Sequence, residues 1–374
     1  MPALLPRFSP WLLALVVTAA AVATPAPAHA AKRESWKALP EKVRGPADGP
    51  RPARSRMFAA DSVWNRTLPQ GAGLDPTSGA RVQALTDLIR LRRALPAALG
   101  GGPPNLAAGT FSTPIYRVPA LTPRVRVTLK TGSWGNALRK ALAGGVPIPD
   151  GAAQAVGSDG HLSVYQPATD TLWEFWRAHR RADGWHASWG GVMRRASRNP
   201  GYYTGNAWPG LSGKDGWTWG STASSLPVAA GTVTVEELRR GRIDHALAMA
   251  VPDPCRGVFA WPAQRTDGTS SRPDCLPLGA HLRLDPGLNV AALGLHPVAR
   301  MLAEAAQRHG MIVRDRTRVS AQFFLESPPT GGSPYTGVGG LFGRSSASRV
   351  LAGFPWDRLQ LLPMQLCRRA PCSR

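Results

Sequence analysis

Apolar and polar residues alternate with period two through much of the chain, in runs of four to eight residues. VRVTLK sets Val125, Val127 and Leu129 against Arg126, Thr128 and Lys130. Between Gly157 and Met193 the same alternation recurs between turn signals at Ser158-Asp159-Gly160, Pro167–Asp170 and Asp183-Gly184. His161, Ser163 and Tyr165 share one face there, opposite Leu162 and Val164, while Leu172, Glu174 and Trp176 share another. Residues i and i+2 lie on one face of a strand, so this stretch predicts two or three consecutive strands. RIDHALAMAV is small or apolar on both faces, the pattern of a strand central in its sheet. HLRLDP and MIVRDR predict two more strands.

Helical spacing is rarer. Val82, Leu85, Leu88 and Ile89 recur at intervals of three and four after Asp75-Pro76, and the pattern stops before Gly100. Thr234 and Glu237 have the spacing of a capping box for a short helix that runs to Gly241. Pro297–His309 is amphipathic, with Val298, Met301, Leu302 and Ala305 on its apolar face and Gly310 as its stop. Short strands outnumber helices, and 40 glycines and 36 prolines provide the turns between them. This predicts a mainly β fold, a single sandwich or jelly-roll-like domain with a few short peripheral helices; an α+β arrangement is the alternative.

Composition adds an address. Arg7, the apolar run Trp11–Val22 and Ala28-His29-Ala30 have the order of a secretory signal, so residues 1–30 are expected to be cleaved and the product secreted. No second apolar run approaches spanning length, so no membrane span is expected after cleavage. Residues 31–56 read as a flexible basic leader, 57–326 as the β-rich domain, and 327–374 as a Gly/Ser/Pro-rich tail packed on it. Four cysteines suit an oxidising compartment and allow three pairings; the local ones, Cys255 with Cys275 and Cys367 with Cys372, each close a short loop. No Cys-x-x-Cys or His-x-x-x-His spacing points to a metal, and no cofactor is expected.

The formal charge of +22 is nearly all arginine, spread along the chain. It points to a polysaccharide or other anionic polymer as partner, or simply to an arginine-rich composition. No nucleic-acid-binding signature is present, and a monomer is expected.

The candidate chemistry sits on the predicted strands. His161, Tyr165, Glu174, Asp244 and His245 are the catalytic candidates. Glu174, held between Leu172 and Trp176, is placed for a raised pKa and so for general-acid work. Trp189, Tyr203, Trp208, Trp217 and Arg265 are the substrate-binding candidates, four aromatics and an arginine in or near a Gly-rich loop. These residues suit a secreted carbohydrate-active protein on an acidic polysaccharide, acting by β-elimination or by hydrolysis between carboxylates such as Glu174 with Asp159 or Asp244. A non-catalytic cell-wall or polysaccharide-binding protein is the alternative. A serine hydrolase built from Ser224, His245 and Asp267 is a second one, with no Gly-x-Ser-x-Gly elbow to support it.

FAADSVWN, SDGHLSVYQPATDTLWEFW, WGSTASSLP, VEELRRGRIDHALAMAVP, PAQRTDG and RHGMIVRD together resemble a group of functionally uncharacterised exported proteins common in high-GC Gram-positive bacteria. The resemblance spans about Phe58 to Glu326. It implies export and a single domain, and it carries no catalytic assignment.

Overall fold

The computed structural model describes residues 57–204, 218–327 and 332–372. The segments expected to be the signal and the leader, and the binding candidates Trp208 and Trp217, lie outside the described residues.

In chain order the strands are β1 (Asn105–Ala107), β2 (Thr113–Arg117), β3 (Val127–Leu129), β4 (Leu162–Gln166), β5 (Thr171–Trp176), β6 (His179–Arg181), β7 (Gly184–Ala187) and β8 (Trp189–Arg194). They continue as β9 (Leu247–Val251), β10 (Phe259–Ala260), β11 (His281–Leu284), β12 (Met311–Arg316), β13 (Gln322–Phe324), β14 (Glu326–Ser327), β15 (Leu359–Leu361) and β16 (Leu366–Cys367). The α-helices are α1 (Ser78–Ala94), α2 (Asn136–Leu142), α3 (Val235–Arg240), α4 (Pro297–Arg308) and α5 (Ala347–Val350).

A six-stranded mixed sheet runs β1-β13-β9-β12-β11-β15, with β12 parallel to β9 and β1 parallel to β13. A five-stranded sheet runs β14-β2-β4-β5-β8, its first three strands parallel. Smaller sheets pair β3-β7-β6 and β10-β16. The fold is therefore mixed α/β with several open sheets, and the sandwich or jelly-roll expectation is wrong; the α+β alternative is the better description. Period-two alternation is the same whether strands pair locally or across long crossovers, so it cannot reveal the parallel pairs that exclude the sandwich.

The predicted helices form where their spacing and caps place them. α3 has the full capping box, with the Thr234 hydroxyl and the Glu237 carboxylate each satisfying the other's backbone N–H. α4 starts with proline in its first turn, and Gly310 follows it with φ +82°. A Cβ at Gly310 would lie 2.4 Å from His281 Nε2, so both the turn and the packing require glycine there.

β9 is central, as its two-sided apolar pattern predicts. Leu247, Met249 and Val251 join the core that α1 and α4 cover with Val82, Leu85, Val298 and Leu302. Ala246, Ala248 and Ala250 face the other core, built on Phe175, Val192 and their neighbours in the five-stranded sheet. Trp64 is fully buried in this second core, its Nε1 donating to Gly201 O at 2.7 Å and its carbonyl accepting from Ala246 N at 2.7 Å. Both local disulfides form, Cys255–Cys275 and Cys367–Cys372. Among the described residues no helix is long and apolar enough to cross a membrane.

Candidate functional site

A cleft of about 800 Å³ opens beside the carboxyl ends of the parallel pair β9 and β12. Ligands of open α/β sheets bind characteristically at that end. His161, Asp159, Asp267 and Asp315 line it together with Arg316 and Gln322.

His161 stands just before β4 and is 6% exposed. Its Nε2 lies 3.0 Å from Ser221 O. A carbonyl only accepts, so Nε2 carries the proton and Nδ1 is left as an acceptor. Burial lowers the pKa of His161 to about 4, with Arg314 pushing it the same way against the pull of Asp159 and of the Ser221 bond. The ring is neutral at physiological pH.

Glu174 is fully buried and shares Ser221 with His161. Its Oε1 accepts from Ser221 N at 3.0 Å and from the Ser221 hydroxyl at 3.2 Å, and its Oε2 accepts from Val228 N at 2.8 Å. Burial raises its pKa to about 7, although all three donors and Arg314 work in the opposite direction. The raised carboxyl that its apolar neighbours predict is thus present. It faces the backbone of 221–228 and is not part of the cleft lining, so the structure does not place the expected general acid in the cleft.

The remaining catalytic candidates do not join these two. The Tyr165 hydroxyl donates to Asp170 Oδ1 at 3.0 Å, at the end of β4 away from His161, and burial with the Asp170 charge pushes its pKa to about 12. Asp244 and His245 precede β9, at the opposite end from the cleft. The five residues of that strand span about 17 Å at about 3.3 Å per residue. Asp244 pairs with Arg240 at 3.1 Å and with Arg242; burial would raise its carboxyl, but these arginines outweigh that and hold it low. His245 Nε2 lies 3.3 Å from Glu237, a buried carboxylate that burial would raise but that His245 and Thr234 hold at about 2. Both residues line a separate pocket of about 260 Å³, together with Glu236, Glu237 and Glu326. The expected five-residue constellation is not assembled, because β9 separates its two halves.

The serine set is not assembled either. Ser224 is buried against Thr222 and Leu226 N, His245 is across the sheet, and Asp267 is exposed in the cleft beside Arg316. Among the binding candidates, Tyr203 is fully buried and Trp189 nearly so, with Trp189 Nε1 donating to Thr218 O at 3.2 Å. Arg265 donates to three backbone carbonyls, of Thr218, Gly220 and Thr222. It clamps the turn that carries Ser221.

Sequence reasoning passed over Asp315. Its position depends on a β-bulge. Val313 pairs with Met249 and Asp315 with Ala250, leaving Arg314 as the extra residue. Strand alternation alone would place Asp315 with Val313 on the helix side. The bulge turns it to the face of Ala250, beside Arg314. Burial, Asp267 and Asp159 raise the Asp315 carboxyl to about 7 against the pull of Arg314. The adjacent stretches RHGMIVRD, AQRTDG and SDGH each bring one aspartate to this cleft.

No family model, curated protein or solved structure matches the chain. The cleft and its residues are the basis for a functional reading. No cluster of three or more metal-ligating side chains occurs among the described residues.

Proposed function

We propose that the chain is a carbohydrate-binding protein whose site is this cleft, and that it takes a neutral or amino-sugar polysaccharide. The observation that carries the reading is the lining: planar hydrogen-bonding side chains next to an exposed aromatic ring. Asn105, Gln322, Asp159 and Asp267 offer the paired donors and acceptors that sugar hydroxyls require. Gln322 Nε2 donates to Asn105 Oδ1 at 2.8 Å, which orients both amides. Phe111 stands on the rim with φ +61°, a backbone conformation rarely kept without a reason. Gly157 makes room for it, since a Cβ there would lie 2.8 Å from the ring. An aromatic face so presented suits stacking on a pyranose ring.

The overall charge of +22 suggests an acidic polymer, but charge at a site is local. Three carboxylates and two arginines, Arg316 and Arg318, line the cleft, and the Arg316 guanidinium lies 3.5 Å from Asp267. That lining has no cationic excess to draw a uronic-acid polymer, so sugar hydroxyls suit it better.

Affinity electrophoresis through gels containing soluble β-glucan, partially deacetylated chitin or polyuronate tests this. Retardation by one of the first two, weakened by Phe111→Ala, is expected. Retardation by polyuronate alone, or by none of them, refutes the proposal.

A further inference from the structure

We propose that the cleft also hydrolyses glycosidic bonds, with Asp315 as general acid and Asp267 as general base. This rests on the carbohydrate reading above and goes beyond it from binding to chemistry.

The first observation is the register of β12. The bulge sends two consecutive polar side chains, Arg314 and Asp315, to the same side of the sheet, where regular alternation would send one. Asp315 is half-buried at the cleft wall, and its Oδ1 accepts the Arg316 backbone N–H at 2.9 Å, which fixes the carboxyl plane. Asp267 reaches the cleft from the turn after β10, is exposed, and lies 3.5 Å from Arg316. Asp315 is thus the more shielded carboxyl, and Asp267 the more solvated one, beside a cation. Two such environments separate an acid from a base. The burial and like charges that raise the Asp315 carboxyl agree with the proton being on that residue.

The second observation is Arg314. It is fully buried, and only its Nη1 is used, on Val228 O, Ala230 O and Thr232 Oγ1. Its Nε and Nη2 have no hydrogen-bond partner among the described residues. Its guanidinium stacks 4.1 Å from the Phe324 ring, and Phe324 is a wall of the cleft. Buried donors left unused are costly in a folded protein. Fully buried behind the cleft wall, they suit an enclosed water there.

The step balances without a cofactor. The bond between the anomeric carbon and the leaving oxygen breaks, and the Asp315 proton passes to that oxygen. A water oxygen bonds to the anomeric carbon, and its proton passes to the Asp267 carboxylate. Exchange with solvent then returns Asp315 to its acid form and Asp267 to its base form. One water is consumed and nothing is oxidised or reduced.

The test measures new reducing ends and gel retardation in parallel, on soluble β-glucan and on partially deacetylated chitin, for the full chain. The wild type is expected to release reducing ends. Asp315→Asn and Asp267→Asn should each lose at least about 100-fold of that rate, the scale of a lost general acid or base, at polysaccharide concentrations that saturate retardation, so that weakened binding is not counted as lost chemistry. Asp267 is exposed, so its variant stays informative if Asp315→Asn does not fold. Retardation without reducing ends from the wild type overturns the hydrolysis and leaves the binding reading standing. Neither retardation nor reducing ends overturns both. Full activity in either variant removes the catalytic pair.

Discussion

Glu174→Gln sets two effects against each other at one buried carboxyl. Three donors converge on Glu174, which favours the ionised form, whereas complete burial favours the neutral one. With the folded pKa raised to about 7 from 4.5, burial wins. The difference corresponds to about 3 kcal/mol at about 1.4 kcal/mol per pKa unit. Because the folded state holds the proton more tightly, this contribution is fully present below pH 4.5. It is lost as pH rises towards 7. Neutral glutamic acid and glutamine are nearly isosteric, and each turns one donor towards an existing donor. At pH 5 the variant should therefore melt close to the wild type. At pH 8 it should be the more stable by about 3 kcal/mol, since it has no charge to bury. His161 and His309, both lowered to about 4 chiefly by burial, titrate in both proteins and cancel in the comparison. Thermal melts of the two proteins at pH 5 and pH 8 measure the effect. A variant less stable than the wild type at pH 8 would show that the three donors keep Glu174 ionised, and would refute the reasoning. Glu174→Ala is the control: it leaves the Ser221 and Val228 amides without acceptors and should lose stability at both pH values.

Two further outcomes test the frame around the site. Replacing Cys255 and Cys275 by serine removes a cross-link of sequence separation 20 and should cost about 3 kcal/mol on chain-entropy grounds, more than replacing the separation-5 pair Cys367 and Cys372; guanidinium titration of the two double variants ranks them, and the reverse order contradicts the estimate. Gly191→Ala puts a Cβ 2.5 Å from the Tyr203 ring and hydroxyl, so it should destabilise by about 1–3 kcal/mol through overpacking, and an unchanged melting temperature would show that Tyr203 moves freely.

The sequence by itself determined the local elements. The 3.6-residue spacing of Val82, Leu85 and Ile89, the Thr234–Glu237 box and the Pro297 start each act within a few residues, and each helix forms where they place it. The two-sided apolar pattern of Leu247–Val251 marked the central strand, and short loops identified both disulfides. Glu174 was legible as a carboxyl with a raised pKa, because its apolar neighbours are two residues away on the same strand. Its partners were not, since Ser221 and Val228 are 47 and 54 residues distant and only folding brings their amides to it. Tertiary structure alone decided that β9 and β12 pair in parallel, so that helices cover one face of their sheet and the sandwich is excluded. It also decided which charged residues share a site. Asp244 and His245 looked like partners of His161, but a strand has two ends, and they lie at the wrong one. Asp315 reached the cleft through one extra residue in β12. A bulge exists only relative to the strand it pairs with, so period-two reading of MIVRDR alone assigns Asp315 to the opposite face.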